Sequence, residues 1–204
     1  MSYVFFDLDK TLITKNSYEI VLNALKRRRV ISFRKFMYYK FILLFISNID
    51  NKMNLLAGVF KGVEIGRLDK IIKAFIFTEF DPIKNMKAVE ELEKHNTRNK
   101  KVVLVTTSFE PIAKHAAKFF HIPEYVATKL EVKNGVYTGR ILGKINYQDE
   151  KVTRLAKYDF AGSFAYSDHN SDIPLLKMAD YRYTVNPNKK LRSYARNHGW
   201  FILD

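Results

Sequence analysis

The chain is predicted to fold as an α/β protein around a doubly wound, parallel, Rossmann-like sheet, and three observations predict it. Short apolar runs rich in β-branched and aromatic residues alternate with helical patterns. Polar groups able to do chemistry fall at the carboxyl ends of those runs, where open α/β sheets bind ligands. The 204 residues, 47% of them hydrophobic, suffice for one real core plus a modest insertion.

In chain order, Tyr3-Val4-Phe5-Phe6 opens a buried strand read near 3–8, which breaks out of the sheet at Asp7-Leu8-Asp9-Lys10-Thr11-Leu12. Half-buried carboxylates repel each other and lose hydration unless a cation offsets the cost, so the pair suggests a divalent metal. On its own it is an Asp-rich turn. Further strands are read near 101–106, 124–128, 163–167 and 181–185, with helices near 82–96, 109–120, 149–158, 172–178 and 188–197. Asn134-Gly135 carries the chemistry of a two-residue hairpin turn, and residues 199–203 read as a closing edge strand. No internal repeat or low-complexity linker interrupts this order.

Three downstream segments could complete a site. Val102-Val103-Leu104-Val105 leads into Thr106-Thr107-Ser108, hydroxyls at a strand-to-helix turn that can hold phosphate. The alternative there is ordinary N-capping by Ser108. Lys151 opens the pattern Lys-Val-Thr-Arg-Leu-Ala; among 35 Lys and Arg its default is a surface lysine, and Lys144 is its rival. Phe164-Ala165-Tyr166 ends in the acidic turn Ser167-Asp168-His169-Asn170-Ser171-Asp172, where Asp168 and Asp172 could join the metal site.

These four motifs in this order resemble the haloacid dehalogenase superfamily of phosphohydrolases. The hairpin wording of residues 128–140 is similar to its phosphoserine-phosphatase-like branch. The resemblance implies a core of residues 1–12 and 82–204 and a helical cap inserted at 13–81. It implies an Mg²⁺-dependent phosphomonoester hydrolase with Asp7 as nucleophile, passing through an aspartyl-phosphate, and Asp9 as general acid and base. The ligands of Mg²⁺ would be the side chains of Asp7 and Asp168 and the main-chain carbonyl of Asp9, with Asp172 behind them. Thr106 and Lys151 would hold the equatorial phosphate oxygens. Lys151 is preferred over Lys144 because a Lys-Val-x-x-Leu helix start follows it, as in the family. Lys10, Thr11, Thr107, Ser108 and Asn170 are further candidates to touch substrate, and His169 is the one histidine inside a motif. His95, His115, His121 and His198 are expected to be surface or structural.

Substrate is read from departures. Phosphoserine phosphatases carry a glutamate nine residues after the nucleophile, where this chain has Asn16. Lys10 replaces the usual Gly or Ser, and Asn170 stands one residue early. The opening, the basic then apolar cap and the fourth motif resemble phosphatidylglycerophosphatase C enzymes, which implies a lipid-headgroup phosphate such as phosphatidylglycerophosphate. The alternatives are a soluble phosphatase for a small phosphorylated metabolite, or a non-catalytic binding module on the same fold.

Composition adds one item. No cysteine means no disulfide and no thiol chemistry, and the start shows no leader of the secretory kind, so the cytoplasm is the expected compartment. Net charge is nevertheless +14. Between Glu19 and Asp50 stand Lys26, Arg27, Arg28, Arg29, Arg34, Lys35 and Lys40 with no acid, interleaved with aromatics and ending in Phe41-Ile42-Leu43-Leu44-Phe45-Ile46. That run is too short to span a bilayer. Residues 26–46 therefore read either as an interfacial helix or hairpin on the cytoplasmic face of an anionic membrane, or as a cap helix packed internally. Nucleic acid is the lesser reading, because the cations crowd an apolar run.

Overall fold

β1 (Tyr3–Phe6) is the strand around which the fold is wound, and its two faces explain why every one of its side chains is apolar. The computed structural model describes residues 2–204. Four helices follow β1: α1 (Ser17–Arg27), α2 (Phe33–Leu43), α3 (Ile49–Gly58) and α4 (Ile65–Glu79). A 3₁₀ turn at Asp81–Ile83 leads to α5 (Met86–Thr97), β2 (Lys101–Phe109), α6 (Glu110–Phe119) and β3 (Glu124–Thr128). A hairpin, β4 (Leu130–Lys133) and β5 (Val136–Ile141), precedes α7 (Asp149–Arg154) and β6 (Phe164–Ser167). The chain closes with α8 (Ile173–Met178), β7 (Tyr181–Val185), α9 (Lys189–Asn197) and β8 (Phe201–Leu203).

The main sheet has the order β3-β2-β1-β6-β7-β8, and all of its pairings are parallel. The chain therefore runs outward from β1 to one edge and returns to build the other half from β6. Strand order reverses between β1 and β6, which opens a crevice above their carboxyl ends. Val4 and Phe6 face one apolar cluster, shared with α1–α4 and α6. Phe5 faces the other, with Val103, Val105, Leu175, Leu191 and Trp200. Burial on both faces is the reason these strands read as continuous apolar runs.

The hairpin turn takes positive φ at both Asn134 (50°) and Gly135 (77°), the backbone that an Asn-Gly turn of this kind requires. It packs on the connection between α3 and α4, with Gly62 N–H donating to the Tyr137 carbonyl. Some expected boundaries move. β2 runs on to Phe109, so α6 begins at Glu110, and α7 stops at Arg154 instead of continuing to 158. The N-cap of α6 is Phe109, without a side-chain cap, so Ser108 is not a capping residue.

Candidate active site

The loop after β1 is shaped by one carbonyl. Leu8 O accepts from the N–H groups of Thr11, Leu12 and Ile13, curling the chain so that Asp7 and Asp9 face the same crevice. Asp7 N–H donates to Tyr166 O at 3.0 Å, extending the β1–β6 pairing by one residue and fixing the first carboxylate above the sheet. Lys10 follows at φ +60°, a conformation uncommon for a residue with a Cβ. This accounts for the sequence departure in backbone terms: the position suits glycine, yet it holds a lysine that lines the cleft.

Lys151 is the centre of charge. It projects from the first turn of α7, is 1% exposed, and donates to Asp7 Oδ1 at 2.9 Å and to Asp172 Oδ2 at 2.8 Å. Lys144, its rival, stands at the surface with Nζ 3.8 Å from Glu150 Oε2. Asp172 also accepts from Ser167 Oγ at 2.7 Å, while its Oδ1 has no partner in the protein.

Asp9 is held differently. The main-chain N–H of Ser17, first residue of α1, donates to Asp9 Oδ1 at 2.7 Å, and Ser108 Oγ donates to Oδ2 at 2.9 Å. The two serine hydroxyls lie 2.7 Å apart, so α1 and β2 meet at this carboxylate.

Thr106, Thr107 and Ser108 do not form a strand-to-helix turn. They sit within β2, where the register with β3 shifts between Val105 and Phe109. Such a bulge turns side chains out of the pleat. Thr106 Oγ1 accepts from Ser108 N–H at 3.1 Å, and the buried Asn146 amide ties the segment down by donating to Thr106 O at 2.8 Å.

Burial and crowding set the electrostatics. Burial pushes the Asp7 carboxyl well above the usual carboxylate range; Lys151 opposes this, and Asp172, Asp168 and Asp9 reinforce it. Asp168 is pushed up to about 7, first by burial and then by Asp172. Burial also raises Asp9, against the hydrogen bonds from Ser17 and Ser108. Burial lowers His169, whose Nδ1 accepts from Ser171 N–H at 3.2 Å. Four carboxylates thus outnumber the nearby cations, and the buried Oδ1 of Asp172 lacks a donor.

That surplus of hard oxygen donors fits Mg²⁺. Among the described residues no three acidic or imidazole side chains converge as a cage. The set implied by the sequence does not need one: Mg²⁺ keeps several waters and is held by one or two carboxylates together with substrate phosphate.

These groups line a cleft of about 340 Å³. Asp7, Asp9, Lys10, Thr106, Thr107, Ser108, Lys151, Asp168, His169 and Asp172 all reach it. Two expected substrate contacts do not. Thr11 is fully buried behind Asp7, its hydroxyl 3.5 Å from Oδ2, and Asn170 turns away to accept from Asn188 Nδ2 at 2.9 Å. Ser17 and Asn146 went unnoticed in the sequence, where neither stands in a motif. α1, α3 and the turn before α3 line the other side of the cleft with Tyr18, Ile46, Ile49, Met53 and Leu56, a largely apolar wall in which Lys52 is, among the described residues, the one cation.

The chain is similar to known proteins along nearly its whole length. The profile of the haloacid dehalogenase-like hydrolase family matches residues 4–177. A Streptomyces azureus protein named for inhibition of morphological differentiation is 29% identical over 98% of this chain and 77% of its own length. A phosphoserine phosphatase of Mycobacterium tuberculosis is 28% identical over 98% of this chain and 70% of its own. Among solved structures, a protein of unknown function from Bordetella pertussis Tohama I superposes with a TM-score of 0.90 at 24% identity, covering 100% of this chain and 99% of that one. A substrate-bound phosphoserine phosphatase gives 0.66 at 17% identity, over 99% of this chain and 92% of that one, a likeness of fold.

Proposed function

We propose that this chain, which belongs to the haloacid dehalogenase-like hydrolase family, is an Mg²⁺-dependent phosphomonoesterase with Asp7 as its nucleophile. One observation carries the reading: Asp7 stands buried at the end of the central strand, bonded to Lys151 and facing a cleft rimmed by Thr106 and Asp168. An unpaired anion there would be costly, and a phosphate ester with its metal is the chemistry that such a floor suits.

In the first half-reaction Asp7 attacks phosphorus, the bond to the ester oxygen breaks, and Asp9 gives that oxygen its proton. In the second, water attacks the aspartyl-phosphate, Asp9 takes up a proton from it, and phosphate leaves with Asp7 restored. The raised affinity of Asp9 for a proton suits that traffic. Lys151 has three donors, of which Asp7 and Asp172 take two, leaving one for an equatorial oxygen beside Thr106. Asp7, Asp168 and the carbonyl of Asp9 would hold Mg²⁺, whose charge would offset the repulsion between carboxylate and phosphate.

The apolar wall facing the charged floor favours an ester with an apolar body. A lipid-headgroup phosphate such as phosphatidylglycerophosphate, reached by an enzyme resting on the cytoplasmic face of a membrane, is the substrate class we infer. A small phosphorylated metabolite is the second reading, favoured by the full-length similarity to the M. tuberculosis phosphoserine phosphatase. The test is hydrolysis of p-nitrophenyl phosphate with and without Mg²⁺, followed by a panel of soluble and lipid phosphate esters. Asp7→Asn should abolish turnover and phosphoenzyme, and substantial Mg²⁺-dependent hydrolysis by that variant would overturn the reading.

A further inference from the structure

α2 carries two apolar stripes, and only one has a partner. Phe36 is buried, with Tyr39 and Leu43 half-buried beside it, and these pack on the core cluster. Phe33, Met37, Phe41 and Leu44, spaced i, i+4, i+8 and i+11, lie on a different face. Their exposures are 62%, 48%, 59% and 79%, and Tyr38 (56%) and Phe45 (71%) widen the stripe. The rings of Phe41 and Phe45 are 5.0 Å apart, a formed aromatic patch on the outside of the molecule. Scattered exposed apolar side chains are ordinary, whereas a contiguous band of six is the mark of an interaction surface.

Charge identifies the partner. Arg28, Arg29, Arg34, Lys35 and Lys40 are exposed on the end of α1, the connection and α2. Arg27 is spoken for, by Glu79 at 2.8 Å. No acid occurs between Glu19 and Asp50 to neutralise the rest. A second copy of this chain seated on the stripe about a two-fold axis would set cations against cations. An anionic lipid surface complements both properties at once, taking rings and Leu44 into the headgroup–acyl boundary while the cations meet phosphates. No helix among the described residues is long and apolar enough to cross a membrane, so contact of this kind lies on the surface. Position supplies the last argument. Leu44 and Phe45 run directly into Ile46 and Ser47, which line the cleft, so the stripe ends at its mouth.

We propose that the outer face of α2 and the turn after it dock on an anionic bilayer and set the mouth of the cleft at the headgroup layer. The docking stands on the surface alone; its use for reaching a lipid phosphate rests on the phosphatase reading.

The experiment is co-sedimentation of the whole chain with phosphatidylcholine vesicles, with and without roughly a third phosphatidylglycerol, at low and high salt. Wild type should bind the anionic vesicles at low salt and be released as salt screens the contact. Each of Arg28→Gln, Arg29→Gln and Arg34→Gln should weaken binding by about fivefold. Leu44→Ser with Phe45→Ser should weaken it by roughly tenfold or more even at low salt. Thermal unfolding of each variant checks the fold, and protection of α2 amides from hydrogen exchange on adding vesicles reads the same contact in the wild type alone. Wild type that ignores anionic vesicles at low salt, or binds neutral ones equally, overturns the proposal. So does a folded Leu44→Ser, Phe45→Ser variant with undiminished binding, or a wild-type dimer in vesicle-free buffer that the same variant loses. Hydrolysis of p-nitrophenyl phosphate in vesicle-free buffer reads the phosphatase separately: protein that binds vesicles without that activity keeps the docking and loses the enzyme.

Discussion

Replacing Lys151 with methionine keeps an unbranched, apolar stem of similar length and removes the charge. That charge lies 2.9 Å from Asp7 Oδ1 and 2.8 Å from Asp172 Oδ2, almost wholly out of water. Burial alone would make the ammonium easier to deprotonate, but Asp172 and Asp7 outweigh it and hold the proton more firmly than usual. Without it two buried carboxylates face each other, and removing one partner of such a buried pair costs about 3–5 kcal/mol. For a chain of this size that is about 6–20 °C in Tm. The loss should depend on pH. Asp7 already binds its proton more tightly folded than unfolded, so ionising it opposes folding as pH rises from the ordinary carboxylate range through its folded pKa. Lys151 pulls that folded pKa down, and its removal widens the window upward. The deficit of Lys151→Met should therefore be small at the acid end of that window, where Asp7 holds its proton, and grow toward the alkaline end as Asp7 ionises. Thermal unfolding of both metal-free proteins across that range measures it. Added Mg²⁺ should recover part of the loss, because a ligand that binds only the folded state stabilises it. A variant that melts with the wild type at both ends of the range would refute the assignment of Lys151 as the buried counter-ion.

Three further outcomes follow from the same site. Asp7→Asn should lose activity yet melt no lower than wild type in the absence of metal, since burial and three carboxylates already disfavour its charge; a large drop in Tm would show that the carboxylate is structural. Mg²⁺ affinity, read by calorimetry, should fall by roughly tenfold per unit as pH drops below the Asp168 value of about 7, because the carboxylate must ionise to become a ligand; affinity flat across that range would place the metal elsewhere. Ser108→Ala removes a hydrogen bond that favours ionised Asp9, so the pKa of Asp9 should rise further and the corresponding limb of the pH profile of kcat/KM should move upward; an unmoved profile would detach Ser108 from the proton carrier.

The strands and the acidic turns were legible because each rests on a short local pattern: an apolar run that must be buried, followed by groups that cannot be. What escaped the sequence depends on partners far along the chain. Thr106–Ser108 look like a helix entry when read alone, and it is the shifted pairing with β3 that makes them part of a bulged strand. The Lys-Val-x-x-Leu helix start favours Lys151 over Lys144 but does not say what either touches; the short helix α7 aims one at Asp7 and leaves the other at the surface. Asp172 reads as standing behind the metal ligands, and nothing local shows that its bonds to Lys151 and Ser167 also make it an anchor for the lysine. Around α2 apolar side chains stand on every side, interleaved with Arg34, Lys35 and Lys40, so periodicity could not choose between burial and exposure, and the helix turns Phe36 to the core and Phe33, Met37 and Phe41 to solvent.

The bond from Ser17 to Asp9 joins two processes that are usually described apart. α1 begins without any side-chain cap of its own, and the carboxylate of Asp9 takes that place from eight residues upstream. An acceptor at a helix start contributes about 1 kcal/mol, and a negative charge there gains further from the helix dipole. In the proposed reaction the same carboxylate gains and loses a proton in every cycle. Thermodynamic reciprocity then requires that whatever loosens the first turn of α1 strengthens the hold of Asp9 on its proton, and that protonating Asp9 loosens α1. The first turn of α1 and the proton of the reaction are in this sense one variable, so a substitution that frays α1 far from the cleft should be felt as a change in acidity within it.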